Sequence, residues 1–456
     1  KVRLRDAPDD LVASARERTL GHPRALEHLF GILSADRDTS LQEILDNTKE
    51  LLPEKVVKVL VGEAFSRLDP TAQRVMQALA TYRYPVPPAA VDYLLQPYVT
   101  GIDSGRVLSR LVNMQFVHRD AGRYYLHQID RDYALSRVEK GDPADREAEV
   151  PPLTRFALQH RAAEWFKLSR KPRDAWKSLS DLAAQLSEFE LRYAGDDYDT
   201  AAALLLEFDF DYLFLWGHYR LMIDLHERLQ GNISDPWLAE HSAAHLGSAY
   251  YRIGQVLRAI SCEEKALQLA RIREDRAAEG VWLSNLAGTI SELGQNARAI
   301  EYYEQALMIH RETGDRNGEA LSLGGIANRY AEIGQFERAV EYYEQALLID
   351  RENEDRENEA LNLDNLGLFY SLLGKPDDAL RCSKMALDIA REIGYRLIAA
   401  SAHNNIGTLN LSQGNWREAT LELEQAIEIS DDIGDVQNSK SARENLSLVK
   451  LYENNL

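Results

Sequence analysis

The chain copies itself every 40 residues. Glycine stands at Gly254, Gly294, Gly334, Gly374 and Gly414. Alanine stands at Ala259, Ala299, Ala339, Ala379 and Ala419, and again at Ala266, Ala306, Ala346, Ala386 and Ala426. A large apolar residue followed by a small one recurs at Leu246/Gly247, Leu286/Ala287, Ile326/Ala327, Leu366/Gly367 and Ile406/Gly407. The heptapeptide EYYEQAL occurs at 301–307 and again at 341–347. Several columns that keep one period are the signature of a repeat array.

One unit can be read physically. Apolar residues at helical spacing precede the glycine, and a second helical stretch follows it. Glycine lets the backbone turn sharply between the two helices. The Gly and Ala columns fall where two helix backbones cross closely, while Tyr302, Leu307, Tyr342 and Leu347 supply apolar bulk. Such a hairpin cannot bury its own apolar face, and stacking the next unit completes the core. The pattern resembles the tetratricopeptide repeat (TPR) in a 40-residue form. Its motif L-G-x-x-Y, then G, then A, matches best at Leu366, Gly367, Tyr370, Gly374 and Ala379. Five units occupy 240–439. A last helix near 437–454 keeps Asn445 and Leu446 in register, then turns polar as a cap should, with 440–456 as the capping segment.

The resemblance implies that the first helix of each unit lines a groove for a protein or peptide partner. One column on that helix reads His245, Asn285, Gly325, Asn365, Asn405 and Asn445. An amide offers both donor and acceptor, so it suits the main chain of an extended segment. The same amides could instead bond to the neighbouring helix and set the stacking; the sequence leaves both roles open. The expected partner-binding residues are Asn285, Asn328, Asp364, Asn365, Asn404, Asn405 and Asn445. Arg252 is the only cation among the wall positions, so a partner segment should be neutral or basic rather than a free carboxylate.

The first 140 residues show no repeat. Asp69 and Pro70 read as N-cap and first position of a helix. Further helices fit 88–95 and 104–114, and two β-prone runs surround an Asp-Ala-Gly turn within 116–127. Three helices and a hairpin make a winged helix, here 61–140, after a helical domain 1–60 and before divergent helical hairpins or linker in 141–239. Its third helix carries only Arg106 and Arg110, too little cation for a DNA-reading face. The order of pieces resembles the C-terminal half of the NB-ARC (STAND) signalling ATPases. Gly21 and Pro23 match the G-L-P-L-A motif, with His22 and Arg24 departing from it; Leu126 and His127 match the M-H-D motif, with Gln128 replacing Asp. The resemblance implies an upstream nucleotide-binding domain in a full-length parent, with Pro23 beside the base and His127 on the phosphates of ADP or ATP.

Composition removes other classes. Residues 1–140 hold 20 Lys and Arg against 19 Asp and Glu, so the net charge of −20 belongs to the remainder, an acidic body that does not suit a phosphate backbone. No G-x-x-x-x-G-K-[ST] occurs, so the chain has no P-loop and should not hydrolyse ATP alone. Cys262 and Cys382 lie 120 residues apart, three periods, which places them in equivalent sites too distant for a disulfide and fits a reducing, cytoplasmic setting. Neither has metal-ligand spacing. No long apolar run predicts a membrane span. The opening KVRLRDAPDD has no signal core and reads as the interior of a longer chain. The expected fold is all-α: an α-solenoid of TPR hairpins behind a small helical domain and a winged helix. The expected function is the regulatory, ligand-sensing part of a STAND ATPase, in a bacterial defence or transcriptional setting. A plain TPR adaptor and the sensor of a transcription regulator are the rival readings.

Overall fold

A computed structural model gives the fold and describes residues 9–19, 23–35, 43, 44, 46 and 53–453. These form two compact units. One holds the described residues up to Trp216 together with 231–234; the other holds 217–230 and the residues from Asp235 onward.

In the first unit, α1 (Asp9–Arg18), α2 (Pro23–Ala35) and α3 (Pro53–Ser66) precede α4 (Pro70–Thr81), α5 (Pro88–Leu95) and α6 (Ser104–Asn113). Proline opens four of these helices, where its missing N–H costs nothing and its φ is already helical. Asp69 caps α4 as its sequence forecasts, accepting from the Ala72 N–H at 3.0 Å. Strands β1 (His118–Asp120) and β2 (Arg123–Tyr125) pair antiparallel, with His118 opposite Tyr125. Ala121 and Gly122 take φ of 45° and 77° between them, the left-handed pair that a tight hairpin requires. This is the only sheet among the described residues. Helices α7 (Gln128–Ser136), α8 (Arg155–Leu168), α9 (Ala183–Ala194) and α10 (Tyr198–Leu206) follow. One core joins α1 to α9 and the hairpin, with Val75, Leu94, Leu108, Leu111, Phe116 and Leu158 nearly or wholly buried.

The second unit opens with α11 (Tyr219–Leu229) and continues as stacked hairpins. They are α12 and α13 (Pro236–Arg252, Val256–Ile272), α14 and α15 (Arg276–Ser291, Asn296–Thr313), α16 and α17 (Arg316–Glu332, Phe336–Glu352), α18 and α19 (Arg356–Leu372, Pro376–Ile393), and α20 and α21 (Arg396–Ser412, Trp416–Ile433), closed by α22 (Val436–Glu453). The first helices beginning at Arg276, Arg316, Arg356 and Arg396 start 40 residues apart, as the period demands. The five turn glycines have φ between 69° and 78°, a region costly to any residue with a Cβ.

Both alanine columns are fully buried. The third small column shows why size matters there. A Cβ on Gly407 would sit 2.7 Å from Leu423 Cγ, and one on Gly367 2.3 Å from Ser383 Oγ.

Ion pairs recur where one hairpin hands over to the next. Glu319 accepts from Arg311 at 2.7 Å and from Arg316 at 2.5 Å. Arg271, Arg276 and Glu279 repeat this 40 residues earlier, and Arg351, Arg356 and Glu359 repeat it 40 residues later. Arg276 and Arg356 reach on to Glu312 and Glu392, both at 2.7 Å. The fifth hairpin keeps only part of the ladder: Ala399 takes the glutamate's place, while Arg396 keeps the outer contact, to Asp432 in the column of Glu312 and Glu392.

Candidate functional site

First helices of neighbouring hairpins touch at three of the five junctions: α14 meets α16, α18 meets α20, and α20 meets α22. Second helices of neighbouring hairpins do not touch to a comparable degree. The array therefore bends toward its first helices, and their outward residues line its inner side.

That side carries more apolar surface than its polar wall residues imply. Leu321 and Leu361 occupy one column and are 61% and 39% exposed; Leu368 and Leu372, on the same face of α18, are 42% and 55% exposed. Val281 precedes them in the Leu321 column and is also exposed. Sequence reasoning missed Val281, Leu321 and Leu361, which helical periodicity alone assigns to no particular face.

The amide column divides in two. Asn285 is exposed and Asn365 half-buried, and neither side chain makes a hydrogen bond among the described residues. Asn328 is exposed and accepts from the Tyr343 hydroxyl at 2.5 Å. Asn405 donates to Asp364 Oδ1 at 2.9 Å, and Ser401 donates to Asp364 Oδ2 at 2.5 Å. This ties α18 to α20. Asn404 bonds Asn438 and Ser441, and Asn445 donates back to Asn404 and to Thr408 at 2.9 Å, tying α20 to α22. Asp364 is buried, and burial pushes its carboxyl up to about 6 although both hydrogen bonds pull the other way. Gly325, the one position of the column without a side chain, has a local cause. A Cβ there would lie 2.5–2.8 Å from ring atoms of Tyr303, so the second tyrosine of EYYEQAL occupies the space an asparagine would need.

Buried polar groups fill other hairpin interfaces. Glu263 accepts from Thr289 at 2.9 Å, and burial raises its carboxyl to about 7 against that bond. Buried Glu240 receives the Trp282 indole N–H at 2.8 Å and Arg273 at 2.5 Å. Asp350 accepts from Asn362 at 2.6 Å. Cys262 is half-buried, Cys382 is buried, and both are free thiols.

In the first unit, Pro23 is the exposed first residue of α2; its motif neighbours Gly21 and His22 lie outside the described residues. His127 is exposed and caps α7, its ring accepting from the Ile129 N–H at 3.4 Å. Further along each helix, His28 Nε2 of α2 approaches Asp130 Oδ1 of α7 to 2.6 Å, both side chains buried, outside hydrogen-bond geometry. The helix opened by Pro23 and the helix capped by His127 thus meet beneath the surface. No described helix is long and apolar enough to cross a membrane.

The tetratricopeptide repeat family model matches residues 239–309, 279–352 and 357–432. This part of the chain is a TPR array. Among solved structures, the Signal Transduction ATPase with Numerous Domains (STAND) protein with a tetratricopeptide repeat sensor from Pyrococcus horikoshii is 15% identical; the match covers 92% of this chain and 68% of that one, with a TM-score of 0.47. BtubC from P. vanneervenii is 22% identical over 48% of this chain and 90% of its own, with a TM-score of 0.43. Aspartyl phosphate phosphatase F from Bacillus subtilis is 12% identical over 84% and 95%, with a TM-score of 0.43. Among curated proteins, none matches the chain.

Proposed function

We propose that this chain is the regulatory and sensing part of a STAND-type signalling ATPase. In this reading the TPR array takes a protein or peptide trigger, and a winged helix over 61–140 passes the event to a nucleotide switch held by an upstream domain. The observation that carries it is the buried contact between His28 and Asp130. It joins the helix opened by Pro23 to the helix capped by His127, the two places where the NB-ARC motifs would meet ADP.

The trigger is read on the first helices. Asn285 and Asn365 offer unpaired amides, with Asn328 nearby, and Leu321, Leu361 and Leu368 offer apolar contact. Asp364, Asn404, Asn405 and Asn445 border this surface and hold its hairpins in register. The partner segment is extended or helical, neutral or basic, and carries apolar side chains. Its binding moves the switch only as far as it favours one state over the other.

The test begins with the coding sequence upstream. A P-loop within about 200 residues is required by this reading, at ordinary domain sizes. The longer protein should then retain ADP through purification, and His127→Ala should release it. A longer protein without a P-loop, or ADP retention indifferent to His127→Ala, would leave a plain repeat adaptor.

A further inference from the structure

A cavity of about 200 Å³ lies within the first unit, where α4, α7, α8 and α9 converge. Its apolar wall includes Leu135, Phe166 and Leu191, and its polar groups include Arg83, Arg131, Asp132, Gln159 and Glu190. Two of these charges cancel, since Arg83 and Glu190 pair at 2.5 Å. Arg131 is different. Its side chain is only 20% exposed, yet it stays 3.8 Å from Asp132, beyond hydrogen-bond range. Its guanidinium makes no hydrogen bond among the described residues, and neither does the half-buried Gln159 amide. The polar atoms of both groups still reach solvent, so both are free to turn to an occupant, and a guanidinium presents a fork matched to a carboxylate.

We propose that this cavity binds a small monocarboxylate with an apolar body. The carboxylate accepts two N–H bonds from Arg131, Gln159 bonds its second polar atom, and the apolar part lies against Phe166 and Leu191. A phosphate suits the site less well. It would bring a second negative charge to one cation that already faces Asp132 at 3.8 Å, with Glu190 nearby. The volume is below that of a drug-sized site, roughly 300 Å³ and up, so the ligand is the size of an amino acid or a phenylalkanoic acid. Because α7 carries His127 at its cap and α8 and α9 follow the hairpin-bearing segment, an occupant would brace that junction. The site is independent of the TPR surface and of any nucleotide.

The test is calorimetric titration of the full chain with acetate, hexanoate, 3-phenylpropionate, phenylalanine and inorganic phosphate, with 3-phenylpropionamide as the neutral control. One or more of the larger carboxylates should bind and raise the unfolding midpoint, by about 2 °C at ten times its Kd. The amide should not bind. Arg131→Gln should weaken binding at least tenfold, and Gln159→Leu several-fold. No response to any carboxylate up to 10 mM on the order used for weak small ligands overturns the proposal. So does an equal response to acid and amide, or phosphate binding more tightly than every carboxylate. If Arg131→Gln fails to fold, the acid and amide comparison on the wild-type chain, together with Gln159→Leu, decides it.

Discussion

Gly324 and Gly325 are neighbours in the middle of α16, and alanine should act on them with opposite sign. Each substitution gains the same helix propensity, about 0.8–1.0 kcal/mol over glycine. A Cβ on Gly324 meets nothing within 4 Å, so Gly324→Ala should stabilise by roughly that amount. A Cβ on Gly325 would lie 2.5 Å from Tyr303 Cζ and 2.6 Å from Cε1. Carbon atoms attract best at about 3.5–4.0 Å, so the ring must move by about an ångström. Tyr303 is half-buried against the hairpin core, and overpacking of this kind costs about 1–3 kcal/mol. Propensity cancels in the comparison, and the difference between the two variants isolates the ring contact. Urea unfolding followed by helical circular dichroism should place Gly325→Ala about 1–3 kcal/mol below Gly324→Ala. In a Tyr303→Ala background the gap should close. Two variants within about 0.5 kcal/mol of each other in the wild-type background would refute the packing argument, since distant effects add to that accuracy.

Glu274 and Glu354 hold φ of 57° and 55° at a column where Gly314, Gly394 and Gly434 stand; Glu354→Gly should raise stability by a few tenths of a kcal/mol and Gly394→Ala lower it by about 1, read by thermal unfolding. Burial pushes the carboxyls of Asp350 and Asp364 up to about 6, against hydrogen bonds that favour ionisation. The folded array therefore holds their protons more tightly than the unfolded chain. Their contribution is full below about pH 4 and is lost as pH rises through about 6; Asp364→Asn should flatten that slope in a pH series of unfolding midpoints. Glu279 and Glu319 act oppositely. Burial pushes them up, but their arginine bonds prevail and lower them, so the ladder should weaken as pH falls below the ordinary glutamate range. Asn405→Ala leaves Asp364 with Ser401 alone and should cost about 1–3 kcal/mol in stability. Asn365→Ala should leave stability nearly unchanged and weaken a captured partner; a melting drop at Asn365 with affinity intact would remove it from the binding surface.

The repeating half was legible because each column states its role five times. A glycine that recurs at Gly254, Gly294, Gly334, Gly374 and Gly414 has little to be except a left-handed turn, and α22 began within one residue of its expected start. The helices of the first unit were marked by local chemistry, Asp69 with Pro70 and Pro88 among them. What stayed hidden was whatever depends on two positions in different units. The ladder of Arg311, Arg316 and Glu319 keeps the same 40-residue period as the alanines, yet surface arginines and glutamates look like solubility until their partners are known. The division of the asparagines into paired Asn405 and unpaired Asn365 depends on Asp364 facing Ser401 across a hairpin boundary. The Arg131 cavity draws its walls from four helices spread over more than 100 residues, and no linear pattern announces it.

Identical docking surfaces carry a hazard of their own. A hairpin that recognises its neighbour through repeated alanines and arginines would recognise the next one along, or the same hairpin in another molecule, nearly as well. Only contacts that occur once can reject such a slip. Tyr303 against Gly325, Glu263 with Thr289, Glu240 with Trp282 and Asp364 with Asn405 are each confined to one boundary. A shifted pairing would bury Asp364 or Glu263 without its donor, at a cost of about 1–3 kcal/mol for each unmet group. These odd pairs work as addresses in an otherwise anonymous stack. Replacing them with the residues of the neighbouring repeats should leave every hairpin intact and yet yield entangled dimers on refolding, visible as an early peak in size-exclusion chromatography; a monomer that refolds as cleanly as the wild type would show that the addresses are not needed.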